Sequence, residues 1–104
     1  MISDAREAIR INPTYVDAYN TRGVGYYSRK YYDKALADYH KATELDPKYS
    51  FAYYNRALLY YHTRQYERAE NVIKDFILAG GKMTPDLEAL LTSIKAAPLR
   101  AIME

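Results

Sequence analysis

The stretch from Val16 to Tyr49 is echoed at a fixed offset of 34 residues by the stretch from Ser50 to Met83. Tyr19 recurs as Tyr53, Arg22 as Arg56, Tyr26 as Tyr60, Tyr27 as Tyr61, Tyr32 as Tyr66 and Ala35 as Ala69. Pro13 and Tyr15 anticipate Pro47 and Tyr49, so the pattern is already running before the first full copy begins. A unit of this length cannot bury its own apolar face, and copies must therefore stack on one another. That constraint outranks every other feature of the chain, because it makes the fold an array whose units contact only their neighbours.

Within each unit the apolar spacing is helical. A first helix is expected over Met1 to Ile11, with Ile2, Ala5, Ala8 and Ile9 on one face. Asn12-Pro13 ends it, since the residue before proline is pushed out of the α region. Helices follow over Thr14 to Ser28 and Tyr32 to Leu45, with a turn at Arg29 to Tyr31 and a stop at Asp46-Pro47. The pattern restarts with a helix over Lys48 to His62, a turn at Thr63 to Gln65, and a helix from Tyr66 to Ala79 stopped by Gly80-Gly81. Thr84-Pro85-Asp86 then reads as a helix start, with a hydroxyl cap, proline in the first turn and an acid beside it. Leu87, Leu90, Leu91 and Ile94 share one face of that helix, and Pro98 is expected to interrupt it, leaving Leu99 to Glu104 as a short frayed turn. Gly23 and Gly25 each cost a helix about 1 kcal/mol relative to alanine, which implies a second helix passing close by. Short connections make consecutive helices antiparallel neighbours.

Composition narrows the function. The 104 residues make one domain, with 15 basic and 13 acidic side chains and a net charge of +2, too little to imply nucleic acid or an anionic membrane as partner. No cysteine is present, so a disulfide framework is excluded. No apolar run reaches the roughly 20 residues of a membrane span. The charged, amphipathic N-terminus is not a signal peptide, which leans towards a cytoplasmic setting. His40 and His62 are the only histidines, on different helices. There is no metal-ligand spacing, no glycine-rich phosphate loop and no nucleophile elbow, so the chain reads as a non-enzyme without cofactor or metal. Glu67 with Asn71 and Lys34 with Asp38 read as ordinary helix-surface neighbours. Arg29, Lys30 and Arg64 give the turns a solvated basic edge.

These residues resemble the tetratricopeptide repeat. That family sets large aromatics, small residues and a proline at fixed places in its unit, and the first copy meets them with Tyr19, Gly23, Tyr26, Tyr32, Ala35, Tyr39, Ala42 and Pro47. The second supplies Tyr53, Ala57, Tyr60, Tyr66, Ala69 and Ile73, then departs where Phe76 replaces a small residue and Gly81 replaces proline. The resemblance implies an all-α solenoid of antiparallel helix pairs. Residues 1–13 form a half repeat, 16–49 and 50–83 two full repeats, and 84–104 a capping helix and tail. Phe76 and Leu91, both bulky where the family is small, imply that the helix after Thr84 packs at a wider spacing or a changed angle.

The family's concave groove is lined by the first helix of each repeat. Carried over by position, its lining here is Asp17, Asn20, Thr21, Val24, Tyr27 and Ser28, then Phe51, Tyr54, Asn55, Leu58, Tyr61 and His62. Each set falls on one helical stripe distinct from the core stripe, and a second, partly apolar face needs an explanation. The function implied is an interaction scaffold holding an extended protein or peptide segment, with Asn20 and Asn55 bonding its backbone. Some family members clamp a C-terminal carboxylate with basic residues. Here Asn20, Val24, Pro85 and Glu88 stand in those places, so such a ligand is not expected. The alternative is a self-associating assembly unit, a homo-oligomer joined through Ile2, Ala5 and Ile9, for which the sequence provides no preceding helix; a longer array of which this chain is a fragment would account for that face equally.

Overall fold

The computed structural model describes the backbone of residues 1–103 and the side chains of residues 1–98; Glu104 lies outside the described residues. Six helices follow one another: α1 (Ile2–Ile11), α2 (Val16–Ser28), α3 (Tyr32–Leu45), α4 (Ser50–His62), α5 (Tyr66–Leu78) and α6 (Pro85–Met103). Asn12 and Asp46, each before a proline, leave α1 and α3 in extended conformation, at φ −135° and −138°. The helices expected from Thr14 and Lys48 start two residues later. The intervening residues are spent on turns, in which Tyr15 N–H bonds the Asn12 carbonyl and Tyr49 N–H the Asp46 carbonyl. The side chains of Asn12 and Asp46 accept from the backbone of Thr14 and Lys48, tightening the same turns. From the next helix the Tyr19 hydroxyl donates to the Pro13 carbonyl at 2.9 Å, and Tyr53 to the Pro47 carbonyl at 3.0 Å. Tyrosine is therefore used where leucine could pack but could not tie helix to turn.

Helices α2, α4 and α5 end in the same way. In each, two backbone N–H groups beyond the last turn fold back: Lys30 to Tyr27 and Tyr31 to Tyr26, Arg64 to Tyr61 and Gln65 to Tyr60, Gly80 to Ile77 and Gly81 to Phe76. This Schellman closure puts its central residue in the left-handed region. Gly80 adopts it at φ 92° without a Cβ penalty, whereas Lys30 and Arg64 are held there at φ 63°. A side chain with a Cβ is strained there by about 1 kcal/mol. Lys30→Gly and Arg64→Gly should therefore each raise the stability by roughly 0.5–1 kcal/mol in urea melts. Unchanged midpoints would contradict the strain.

Helices α2 with α3 and α4 with α5 form the two closest pairs. A Cβ on Gly23 would lie 2.5 Å from the ring of Tyr39, a side chain 2% exposed, so α2 and α3 meet with ring against bare backbone. In the next repeat the corresponding residues are Ala57 and Ile73, both in the second core cluster. A larger residue on the first helix is matched by a smaller one on the second. The α2–α3 pair is also tied by charge. Arg22 donates from Nε and a terminal nitrogen to the two Asp38 carboxylate oxygens at 2.9 and 2.8 Å, with Asp38 buried. Asp38 is thus not the surface neighbour of Lys34 that the i,i+4 spacing suggests. Lys34 instead lies over the rings of Tyr26 and Tyr31. The hydrogen bond to Asp38 raises the pKa of Arg22, against the opposing effect of burial. In the second repeat Val72 stands where Asp38 would be, and the Nε of Arg56 is buried without a hydrogen-bond partner.

Phe76 and Gly81, two separate departures in the sequence, are one feature in the structure. A Cβ on Gly81 would run into the Phe76 ring, so the missing side chain makes the room that the ring fills. Leu87 replaces the turn-tying tyrosine at the point where the turn has no proline. The bulk at Phe76 does not set α6 apart: α6 packs on α5 and α4 as α4 packs on α3 and α2. Pro98 does not end α6, which continues to Met103. Ile94 and Ala97 are buried up to the residue before it, so packing holds the helix while an exposed ring forgoes one hydrogen bond. At the other end, Ile2 and Ala5 are already buried, Ile2 against Gly25 of α2, and Ile9 packs on the first core cluster. These three residues are not the open face that the lack of a preceding helix suggests.

Candidate functional site: the concave face

Helices α2, α4 and α6 touch in succession, α4 contacting both others, whereas α1, α3 and α5 do not touch one another. A double layer whose inner helices are close and whose outer helices are splayed is curved, with α2, α4 and α6 on its concave side. All twelve residues carried over from the family fall on α2 and α4, and none of them is fully buried. Asp17, Thr21, Ser28, Phe51 and His62 are exposed, Phe51 at 66%. Asn20, Val24, Tyr27, Tyr54, Asn55, Leu58 and Tyr61 are half-buried. Val24 and Tyr27 rest on the first core cluster, and Tyr54, Leu58 and Tyr61 on the second.

The structure joins these residues across the two helices. Asn55 Nδ2 donates to Asn20 Oδ1 at 2.9 Å, the Tyr27 hydroxyl is hydrogen-bonded to Nδ1 of His62, and the Tyr49 hydroxyl donates to Asp17. Tyr27 also packs on Tyr32 with centroids 5.6 Å apart. Tyr61 packs on Tyr66 at 5.8 Å and on His62 at 5.6 Å. Phe51 meets Tyr49 edge-on at 5.6 Å. The floor is therefore a fixed polar chain flanked by aromatic edges, and Asn55 spends only one of its two amide hydrogens on Asn20.

Five residues beyond the twelve carried over line this face. Tyr49 reaches it from the loop before α4; the signal was its recurrence at Tyr15. Asp86, Ala89 and Ser93 of α6, with Leu90 behind them, face Tyr54, Leu58 and Tyr61 across a cleft of about 280 Å³. Ala89 stands one period after Asn55, so the register extended into α6 was the signal that could have found it.

Burial raises the pKa of Tyr39 well above the ordinary tyrosine value. Burial, then the hydrogen bond to Asp17, does the same for Tyr49. Burial also raises Tyr27 and Tyr53. The fold thus favours the neutral phenol. Its contribution is fully present below the unfolded value of about 10 and is lost as pH rises from there towards the folded-state values. In an alkaline titration followed at once by phenolate absorbance and far-ultraviolet circular dichroism, these four rings should ionise together with loss of helicity. Ionisation of every tyrosine with helicity intact would contradict the burial.

Comparisons with known proteins agree with this geometry. Tetratricopeptide repeat models match residues 16–49 and 52–78. The structure of YrrB, described as a tetratricopeptide repeat protein with an unusual peptide-binding site, superposes with a TM-score of 0.80 at 26% identity over 96% of this chain. The chain spans 50% of the YrrB chain. The tetratricopeptide repeat domain of Sgt2 from Aspergillus fumigatus superposes with a TM-score of 0.82 at 25% identity, over 99% of this chain and 69% of that one. A comparison with curated protein sequences gives no significant match. Two in-register repeats, the six-helix double layer and the shared curvature place the chain in the tetratricopeptide repeat family.

Proposed function

We propose that this protein is a non-catalytic interaction module whose concave face, built by α2, α4 and α6, holds an extended segment of a partner protein. The observation that carries the reading is the Asn20–Asn55 pair in the floor of that face. Two carboxamides fixed across adjacent helices present donors and acceptors at a depth where an extended backbone can meet them. Phe51, Tyr27 and Tyr61 alongside supply apolar edges for side chains. Asp86 lines the cleft and Asp17 stands exposed on α2, while Arg22, the cation of α2, is engaged by Asp38. The favoured ligand is therefore a neutral or basic segment, not an acidic chain terminus.

The test is capture of peptides from a displayed random library, compared between the wild-type domain and two variants. Asn55→Ala removes the central amide, and Phe51→Ala removes an exposed ring that carries no core packing. Tyr54 is left in place because it rests on the second core cluster. Both variants should keep wild-type helicity and lose most of the captured sequences. Equal capture by Asn55→Ala would rule out the groove.

A further inference from the structure

The concave layer has two successive clefts, α2 with α4 and α4 with α6, and the same period builds them differently. Between α2 and α4 two side chains of α4 reach across, Asn55 to Asn20 at 2.9 Å and His62 to the Tyr27 hydroxyl. One period later both are alanine, Ala89 and Ala96, so at these two places α6 offers only a methyl group. The opposite wall grows instead: Asn20, Val24 and Tyr27 recur as Tyr54, Leu58 and Tyr61. The result is an aromatic-walled notch of about 280 Å³. It lies at the small end of the roughly 300–1,000 Å³ range of small-molecule sites, with room for a single long side chain.

A further change gives the notch its charge. Ala52, fully buried near the start of α4, becomes Asp86 one period later, exposed near the start of α6. Asp86 alone is charged among the described lining residues. It makes no hydrogen bond or ion pair with another described residue. The helix start is served without it, because Thr84 Oγ1 accepts from Leu87 N–H at 3.1 Å and Glu88 stands in the same first turn. An unpaired carboxylate thus sits at the mouth of an apolar, tyrosine-walled notch.

We infer that this notch takes one arginine side chain of the bound segment. The stem lies along Leu58 and Ala89, and the guanidinium meets the rings of Tyr54 and Tyr61 and the carboxylate of Asp86. The inference rests on the peptide-binding reading and deepens it by naming the side chain that the groove selects.

The protein already uses the same constellation inside itself. Arg22 lies 5.8 Å from the ring centroid of Tyr19 and 5.9 Å from that of Tyr26, while both Asp38 oxygens accept from it. There two tyrosines seven residues apart on one helix, and an aspartate from another, surround a guanidinium. Tyr54 and Tyr61 are likewise seven residues apart on α4, and Asp86 comes from α6. The rings are held before any ligand arrives: Tyr61 packs on Tyr66 and His62, and both Tyr54 and Tyr61 rest on the second core cluster. A planar guanidinium stacks flat on such rings and gives a carboxylate two parallel donors, whereas the compact, strongly hydrated ammonium of lysine does neither. An acidic side chain would be repelled by Asp86, and an aliphatic one would leave it without a partner.

Peptides selected from a displayed random library by the wild-type domain test this, with Asn55→Ala as the control for the groove. Captured sequences that need Asn55 should share one arginine at a fixed place. In fluorescence anisotropy with one such peptide, replacing that arginine by citrulline keeps its shape and removes its charge. The replacement should weaken binding to wild type about tenfold. Against Asp86→Asn the same replacement should cost less than about twofold, because the two losses share one interaction. Asp86→Lys should select an acidic residue at that place. Asp86 is exposed, so both variants should keep wild-type helicity. Asn55-dependent capture with no arginine preference, or with lysine selected as often, overturns the inference and leaves the groove standing. An equal citrulline penalty in wild type and Asp86→Asn does the same. Absence of Asn55-dependent capture overturns the groove and this inference with it.

Discussion

Asp38→Ala should lower the unfolding free energy by about 3 kcal/mol and the melting temperature by more than about 10 °C. The carboxylate is buried between α2 and α3 and takes two charge-assisted bonds from Arg22. Removing it leaves a guanidinium, itself only 21% exposed, without a counter-charge. Most of the cost comes from that stranded cation, because a buried pair replaced as a unit by apolar groups is often near neutral. Arg22→Leu with Asp38→Ala should therefore recover most of the loss. The molecule already does without this cation in α6, where Leu90 occupies the corresponding place and is buried. Urea and thermal melts of the single and double variants check it. A loss below about 1 kcal/mol for Asp38→Ala would class the pair with exposed surface bridges and contradict the burial argument.

The second large effect is a coupling. Gly23→Ala places a Cβ against a ring edge that has nowhere to retreat, and overpacking of this kind costs about 1–3 kcal/mol. Helix propensity offsets up to about 1 kcal/mol of that. Tyr39→Ile alone leaves a void beside bare backbone and costs about 2–3 kcal/mol. Together the two changes rewrite the first repeat as the second, Ala57 with Ile73. The double variant should lie within about 1 kcal/mol of wild type, a coupling energy of roughly 2 kcal/mol. Additive losses would show that the two positions do not compensate.

The helices and their order were legible because the repeat places the same signals twice: proline after each second helix, small residues where axes approach, aromatics between. The residues carried over for the groove fall on α2 and α4, as their positions imply, and none of them is fully buried. What the sequence hid were pairings across the period. Asp38 has a near neighbour in Lys34 on its own helix, and nothing local signals that it turns to Arg22. Phe76 and Gly81 look like two lapses because the ring and the missing Cβ meet only once α5 closes on its Schellman turn. Pro98 reads as a stop because local propensity disfavours it inside a helix, whereas the burial of Ile94 and Ala97 carries the helix through. Tyr49 lies outside the helical stripe, and only the stacking of repeats brings its hydroxyl to Asp17.

The central claim is that the face built by α2, α4 and α6 is the one that binds. Two-dimensional NMR of the domain, titrated with a peptide selected by display, tests it most directly through the side-chain amides of Asn20 and Asn55. The account predicts that these two resonances shift together, with the rings of Phe51 and Tyr61, while His40 and Lys41 on the outer helix α3 stay fixed. Saturable binding that moves the α3 and α5 signals and leaves both asparagine amides unchanged would contradict it.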